Sequence, residues 1–246
     1  MKNTMNKHRL DLELVSRGII ATRSQAESYI RLGKVVVNKK IVTKAGTLVT
    51  ADDKIRLIAK QQYVSRAGLK LASVTKVLGL DFRKKVVLDV GSSTGGFTDF
   101  ALQHGASWVI GVELGTKQLH PSLVGHPKIE LYEKTDIRDV RSLSQTPQIV
   151  VIDVSFVSLR DILPSVARLC DKNTQIIAMV KPQFEAQMSG QKHKGVIKND
   201  AMRRKILRDF ETWVKTLFVI SDKADSEVAG FKGNRERFYL LKKNSN

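Results

Sequence analysis

The chain is short of four things, and each shortage narrows what it can do. It has a single cysteine, Cys170, among 246 residues, so no internal disulfide can form and a reducing, cytoplasmic setting is expected. Cys170 stands among apolar helical positions such as Val166 and Leu169, which suits a core filler better than a nucleophile. Histidines at 8, 104, 120, 126 and 193 are scattered without metal-ligand spacing, and no metal is expected. No apolar run reaches the roughly 18 residues of a spanning helix, and the polar stretch Met1 to His8 does not read as a signal peptide, so no membrane partner is expected. Acidic residues are the last shortage: 24 Asp and Glu face 42 Lys and Arg, for a net charge of +18. That exceeds what solubility requires and predicts a polyanionic partner, nucleic acid foremost.

What is present points to a globular chain, with 42% hydrophobic and 27% charged residues. Its length accommodates one full α/β domain and a small one. The basic excess is concentrated at the front, where residues 1–60 hold 13 Lys and Arg against 5 Asp and Glu.

The most informative stretch is Val86-Val-Leu-Asp-Val-Gly-Ser-Ser-Thr-Gly-Gly-Phe-Thr98. An apolar run ends at Gly91, and a glycine-rich turn leads into a helical pattern near Phe97, as where an α/β domain presents a nucleotide-like cofactor at a strand end. A phosphate-cradling loop needs Lys at 97 and finds Phe97. The dinucleotide fingerprint needs a second glycine where Ser93 stands. What remains is Asp89-x-Gly91-x-x-x-Gly95-Gly96, the spacing of an S-adenosylmethionine pocket, although an ordinary βα turn without ligand would look alike. Glu113, at the end of a second apolar run from Trp108, is placed to hold ribose hydroxyls.

Strand and helix patterns alternate after a linker at 59–63, as a parallel sheet requires. Strands are expected at 86–90, 108–113, 129–132, 149–154, 176–181, 216–221 and 237–241, and helices at 65–79, 96–104, 156–169 and 200–214 with Pro164 awkwardly inside the third. The stretch Gln183 to Lys198, rich in Gln, Lys and Gly, has no apolar period and reads as a mobile loop over a strand end. Two strands finish in residues a core would not choose, Ile149-Val-Val-Ile-Asp153 and Ile176-Ile-Ala-Met-Val-Lys181, so both polar ends are expected beside the cofactor.

At the front, Arg9 to Ser16 and Ser24 to Leu32 read as short amphipathic helices separated by Gly18, with Thr22 or Ser24 as caps. Gly33 to Asn38, Ile41–Val42, Thr47 to Val49 and Lys54 to Leu57 are expected to form one small sheet. Arg9-Leu10-Asp11, Arg23-Ser-Gln-Ala26 and Ile30-x-x-Gly33-x-Val35-x-Val37-Asn38 resemble the S-four-type RNA-binding domain. That resemblance implies that Arg9, Arg23, Arg31 and Lys34 follow the phosphates of folded RNA, and Arg66, ahead of the first long strand, is a further RNA-binding candidate. A charged, solvated helical hairpin is the plainer alternative.

With Lys70 in Ser65-Arg-Ala-Gly-Leu-Lys70 and Glu236 in Gly233-Asn-Arg-Glu236, the resemblance extends over nearly the whole chain. The chain is similar to the TlyA family, known both as hemolysins and as ribosomal RNA 2′-O-methyltransferases with an FtsJ-like catalytic domain. The resemblance implies an α/β, Rossmann-like class I methyltransferase fold with a mostly parallel seven-stranded sheet and a small α+β S-four-type domain. The expected divisions are 1–60 for RNA binding, 61–64 for the linker and 65–246 for methyl transfer.

The family's Lys-Asp-Lys-Glu tetrad falls on Lys70, Asp153, Lys181 and Glu236. A ribose hydroxyl is a poor nucleophile, so transfer needs a nearby base and an in-line sulfonium methyl. Lys181 is the expected base, Lys70 a second positive charge, and Asp153 and Glu236 the groups that orient them. Cofactor contacts carried over are Gly91, Ser93, Gly95, Gly96, Phe97 and Thr98 around the methionine part, Glu113 at ribose and Asp136 near adenine, with Asp89 under the turn and Asp153 beside it. Glu113 replaces a commoner Asp, Asp136 a frequent Asn, and Ala67-Gly68 a Gly-Gly or Gly-Ala pair. The expected partner is ribosomal RNA or a ribosomal subunit, the large one foremost. An assembly factor with an inactive pocket and a membrane-lytic hemolysin are the competing readings.

Overall fold

The computed structural model describes residues 7–20, 22–58, 63–230 and 233–244. Residues 61 and 62 of the expected linker and most of the N-terminal polar stretch lie outside them.

The front unit runs β1 (His8–Arg9), α1 (Leu10–Ser16), α2 (Arg23–Arg31), β2 (Val35–Val37), β3 (Lys40–Val42), β4 (Leu48–Val49) and β5 (Ile55–Leu57). Thr22 caps α2 by accepting from the Gln25 amide at 3.2 Å, and Leu10, Leu14, Ala26, Tyr29 and Ile30 bury the facing sides of the two helices. Asn38 and Lys39, both at positive φ, turn β2 back into β3. The strands do not form one sheet as expected. β3, β2 and β5 make a three-stranded sheet, while β4 leaves it to pair antiparallel with β1. The Leu10 amide donates to Thr47 O and the Asp11 amide to Ala45 O, so the start of the chain captures the turn before β4. Arg9 therefore lies on a strand at the N-cap of α1, not on an exposed helix.

The larger unit continues with α3 (Arg66–Thr75), β6 (Val86–Val90), α4 (Gly96–Gln103), β7 (Trp108–Val112), a 3₁₀ turn (Pro121–Leu123), β8 (Ile129–Tyr132), β9 (Ile149–Ile152), α5 (Leu159–Leu169), β10 (Gln175–Val180), α6 (Pro182–Glu185), α7 (Asp200–Val214), β11 (Phe218–Asp225) and β12 (Arg237–Lys243). Seven strands stand in the order β11-β12-β10-β9-β6-β7-β8. The pairs from β10 to β8 are parallel, and β12 is antiparallel to both its neighbours. This is a Rossmann-like sheet, mostly parallel, with a small α+β unit in front.

Strand alternation divides the core. Val87, Val109, Val151 and Ile177 face the side of α3 and α4, and the same apolar cluster continues through Tyr63 into the front unit. Leu88, Ile110, Val150 and Ala178 face the side of α5 and α7. Gln25 of α2 also donates to Tyr63 O at 3.1 Å, which ties the two units together.

Two expectations need correction here. α5 starts at Leu159, not at 156, because Phe156 has φ +64° and Ser158 supplies the cap. The stretch after Lys181 is not featureless: Pro182 starts the single turn α6, Glu185 and Ala186 are buried, and Ile197 packs with Ile206 of α7. Its polar composition conceals inward-facing residues too few to make a period.

Candidate active site

Strand register brings the polar strand ends to one level. Val90 pairs with both Val112 and Ile152, so Gly91, Glu113 and Asp153 follow side by side on β6, β7 and β9. Val180 pairs with Arg237, which sets Lys181 beside Glu236 although the two strands run in opposite directions.

Gly91 has φ +80°, and a Cβ there would stand 3.0 Å from the Asp153 carbonyl oxygen. Gly95, at φ +86°, would drive a Cβ into Leu119 and Leu123. Ser93 also adopts positive φ, and its amide donates to Glu113 Oε2 at 2.9 Å. Glu113 Oε1 accepts from the Gly115 amide at 2.7 Å and from Gln118 Nε2 at 3.3 Å.

Above this edge opens a cavity of about 770 Å³, the size of a small-molecule site, bordered by Gly91, Ser93, Glu113, Asp136, Asp153 and Phe156. A smaller recess of about 80 Å³ shares Gly91, Ser93 and Asp153 and reaches down to Asp89, Gly96 and Phe97. Gly95 and Thr98 border neither hollow. Thr98 instead donates its hydroxyl to Asp89, and the Phe97 ring packs in the core 6.1 Å from Phe238. Asp136 is engaged by Arg138, whose hydrogen bonds hold its carboxyl below the usual range.

The four residues of the expected tetrad form two ion pairs. Lys181 Nζ lies 2.5 Å from Asp153 Oδ1 and donates to Ser155 Oγ at 2.8 Å. Lys70 Nζ, from α3, lies 2.6 Å from Glu236 Oε2. Asp153 Oδ1 and Glu236 Oε2 touch their ammonium groups without normal hydrogen-bond geometry, and neither has another partner. α3 reaches this place because Gly68 lets it lie against Tyr63 and the Gly96 carbonyl, where a Cβ would stand 2.5 Å from the tyrosine side chain.

The front-unit candidates divide. All four are exposed, but Arg9 and Arg23 also share the fully buried carboxylate of Asp11, each at 2.9 Å. Burial works against that charge, and the hydrogen bonds from Arg9 and Arg23 overcome it, so the Asp11 carboxyl sits below its ordinary value. Arg66 is half-buried at the first turn of α3.

Sequence reading passed over Ser155, Phe156, Gln118 and Glu185. Phe156 is 92% exposed at positive φ, beside the cavity, with its ring 5.2 Å from Phe184. A large aromatic between two serines just past a strand-end aspartate was the available signal. Gln118 gave none, since it reaches the site only through a loop closure that sequence does not display.

Comparison with known proteins follows the same division. The pattern of the FtsJ-like methyltransferase family matches residues 63–243, and that of the S4 domain matches residues 8–55. The 23S rRNA (cytidine-2′-O)-methyltransferase TlyA of Campylobacter jejuni is 37% identical over 199 residues, covering 80% of this chain and 77% of the relative. The 16S/23S rRNA (cytidine-2′-O)-methyltransferase TlyA of Mycobacterium tuberculosis is 30% identical over 240 residues, covering 95% and 89%. Hemolysin A of Brachyspira hyodysenteriae is 33% identical over 93% of this chain and 97% of its own. Among solved structures, a candidate hemolysin of Streptococcus thermophilus superimposes with a TM-score of 0.72 at 33% identity, covering 99% of this chain and 90% of that one.

Proposed function

The chain belongs to the FtsJ-like methyltransferase family, with an S4 domain in front, and we propose that it methylates the 2′-hydroxyl of a cytidine in ribosomal RNA, large-subunit RNA foremost. The observation that carries this reading is the Lys181–Asp153 pair, set at 2.5 Å beside a ligand-sized cavity at the glycine turn. The C. jejuni and M. tuberculosis relatives carry that activity in their names.

The methyl donor is S-adenosylmethionine, which supplies an electrophilic methyl on a sulfonium. The residues fit it. Asp89 Oδ1 and Ser92 Oγ are buried polar atoms without partners at the smaller recess, which Gly91 and Gly96 also line. Asp89, Gly91, Ser93 and Gly96 would hold the amino-acid part, with Gly95 shaping the turn and Phe97 and Thr98 behind it. Glu113 would hold the ribose, and Asp136 borders the adenine end.

In this reading Lys181 would take the proton of the ribose hydroxyl as the oxygen bonds to the donor methyl, whose bond to sulfur would break to leave a neutral thioether. Lysine serves as a base only from its neutral form. Asp153 and Ser155 hold Nζ at one place, while Lys70 pairs with Glu236, the residue that the strand register sets beside Lys181. Residues 1–60 act as the RNA-binding unit and 65–246 as the transferring unit, joined by 61–64. Arg31 and Lys34 meet phosphates directly, and Arg9, Arg23 and Arg66 extend the same basic surface.

Incubation with labelled S-adenosylmethionine and ribosomal subunits tests the proposal. Label is expected in RNA, mapped by mass spectrometry to a cytidine ribose, and Lys181→Ala is expected to abolish it. Label on protein, on base atoms or nowhere would refute the reading.

A further inference from the structure

The segments that follow β9 and β10 are joined at both ends. At one end Asp153 and Ser155 hold the Lys181 ammonium. At the other, Glu185, the last residue of α6, accepts from Ser158 Oγ at 2.7 Å and from the Leu159 amide at 2.6 Å, at the first turn of α5. Between these anchors the Phe156 and Phe184 rings lie 5.2 Å apart. Lys181 belongs to both ends, because its carbonyl accepts from the Phe184 and Glu185 amides at 2.9 and 3.3 Å.

Glu185 is a costly residue to place here. It is 1% exposed, and burial pushes its carboxyl above the ordinary value against the pull of Ser158, the Leu159 amide and Arg160. Arg160 Nε stands 3.8 Å away, with its guanidinium over the Trp213 ring. Starting α5 does not require it, since Ser158 already caps that helix by accepting from the Arg160 amide at 3.1 Å. Nor does Glu185 border either hollow of the site. What its two bonds accomplish is to fasten a helix of one turn, the turn that carries Lys181 at its head, to a longer helix.

We propose that Glu185 is a positioning residue for methyl transfer: by clamping α6 to the first turn of α5 it fixes where the Lys181 side-chain nitrogen meets Asp153, the residue that borders the cofactor cavity. A carboxylate suits this task because two donors hold it in a fork and the helix start favours its charge. The inference rests on the reading of Lys181 as the base.

The test uses the whole chain, with Glu185→Gln, Glu185→Asp, Ser158→Ala and Lys181→Ala side by side on ribosomal substrate. Glu185→Gln keeps an acceptor for the Leu159 amide but presents a donor to Ser158. A displacement of the reacting group is expected to lower kcat about 10- to 100-fold while donor affinity and the RNA KM stay within about twofold. Glu185→Asp, one methylene shorter, is expected to lose as much although it keeps the charge. In the donor-free protein, reductive methylation mapped by mass spectrometry is expected to label Lys181 faster in Glu185→Gln, relative to Lys70. Should Glu185→Gln fail to fold, Ser158→Ala removes only one of the two donors and is expected to show the same pattern more weakly.

Unchanged kcat in Glu185→Gln with Lys181→Ala dead overturns this inference and leaves the base assignment standing. So does a loss in which donor affinity, KM and melting temperature worsen together with kcat. Near-normal activity of Lys181→Ala removes the base assignment and this inference with it.

Discussion

Thr98 donates its hydroxyl to Asp89 Oδ2 at 2.7 Å beneath the glycine turn, with both residues 1% exposed. Burial pushes the Asp89 carboxyl up to about 7, the charges of Asp153 and Glu113 push the same way, and the Thr98 hydrogen bond opposes them. The folded protein therefore keeps a proton that the unfolded chain releases. Its contribution to stability is complete below the unfolded value of 3.8 and is lost as pH rises through about 7. The slope within that window is at most about 1.4 kcal/mol per pH unit. Asp89→Asn retains an acceptor for Thr98 without the titration. Its melting temperature should gain on the parent between pH 4 and 7 and run parallel above that; curves parallel throughout would sink the assignment.

Lys70 and Glu236 form a pair with side chains only 9% and 2% exposed. Lys70→Met leaves a buried carboxylate unpaired and should cost about 3–5 kcal/mol in chemical denaturation. Combining it with Glu236→Gln should recover most of that stability while methyl transfer stays low. Recovery of activity along with stability would show that the pair serves the fold alone.

Phe156 offers nearly its whole ring to solvent beside the cavity. Base–aromatic stacking contributes about 1–3 kcal/mol per base, so Phe156→Ala should weaken kcat/KM for RNA by roughly 5- to 150-fold. Donor binding should be untouched, and stability should change by no more than about 0.5 kcal/mol, as for other surface sites. Equal rates for the variant and the parent would exclude a stacking role.

RNA affinity should fall steeply with salt, and Arg31→Ala and Lys34→Ala should each reduce the slope of log K against log salt by about one. Arg9→Ala and Arg23→Ala should behave differently. Each takes one of the two guanidinium groups from buried Asp11, so each should lower thermal stability as well as affinity. Identical behaviour of all four variants in melting experiments would contradict the shared-carboxylate geometry.

The strand ends at Asp153 and Lys181 were legible because a charge that closes a short, unbroken apolar run marks the point where a buried strand leaves the core. The glycine turn was legible for a similar reason: positive φ at Gly91 and Gly95 restricts which residues can occupy those positions. Pairing of β1 with β4 was not, since two residues carry no period and the partner strand, Leu48–Val49, lies far along the chain. Glu185 was hidden by its neighbours. Its surroundings are polar in sequence, and only the approach of α5 makes that carboxylate a buried one. Arg9 and Arg23 were recognised as basic, but their common hold on Asp11 depends on how two helices cross.

β12 is inserted between β10 and β11, and the residue just before it completes the pair with Lys70. During synthesis, then, the sheet must stay parted until its final ribbon emerges, with the β10 edge open to other chains in the interval. A chain interrupted before residue 236 would have its glycine turn and Lys181 but lack both the closing strand and one counter-charge. Such fragments should aggregate rather than persist as soluble, half-active enzymes, so catalytic competence waits on β12 and the residue just before it.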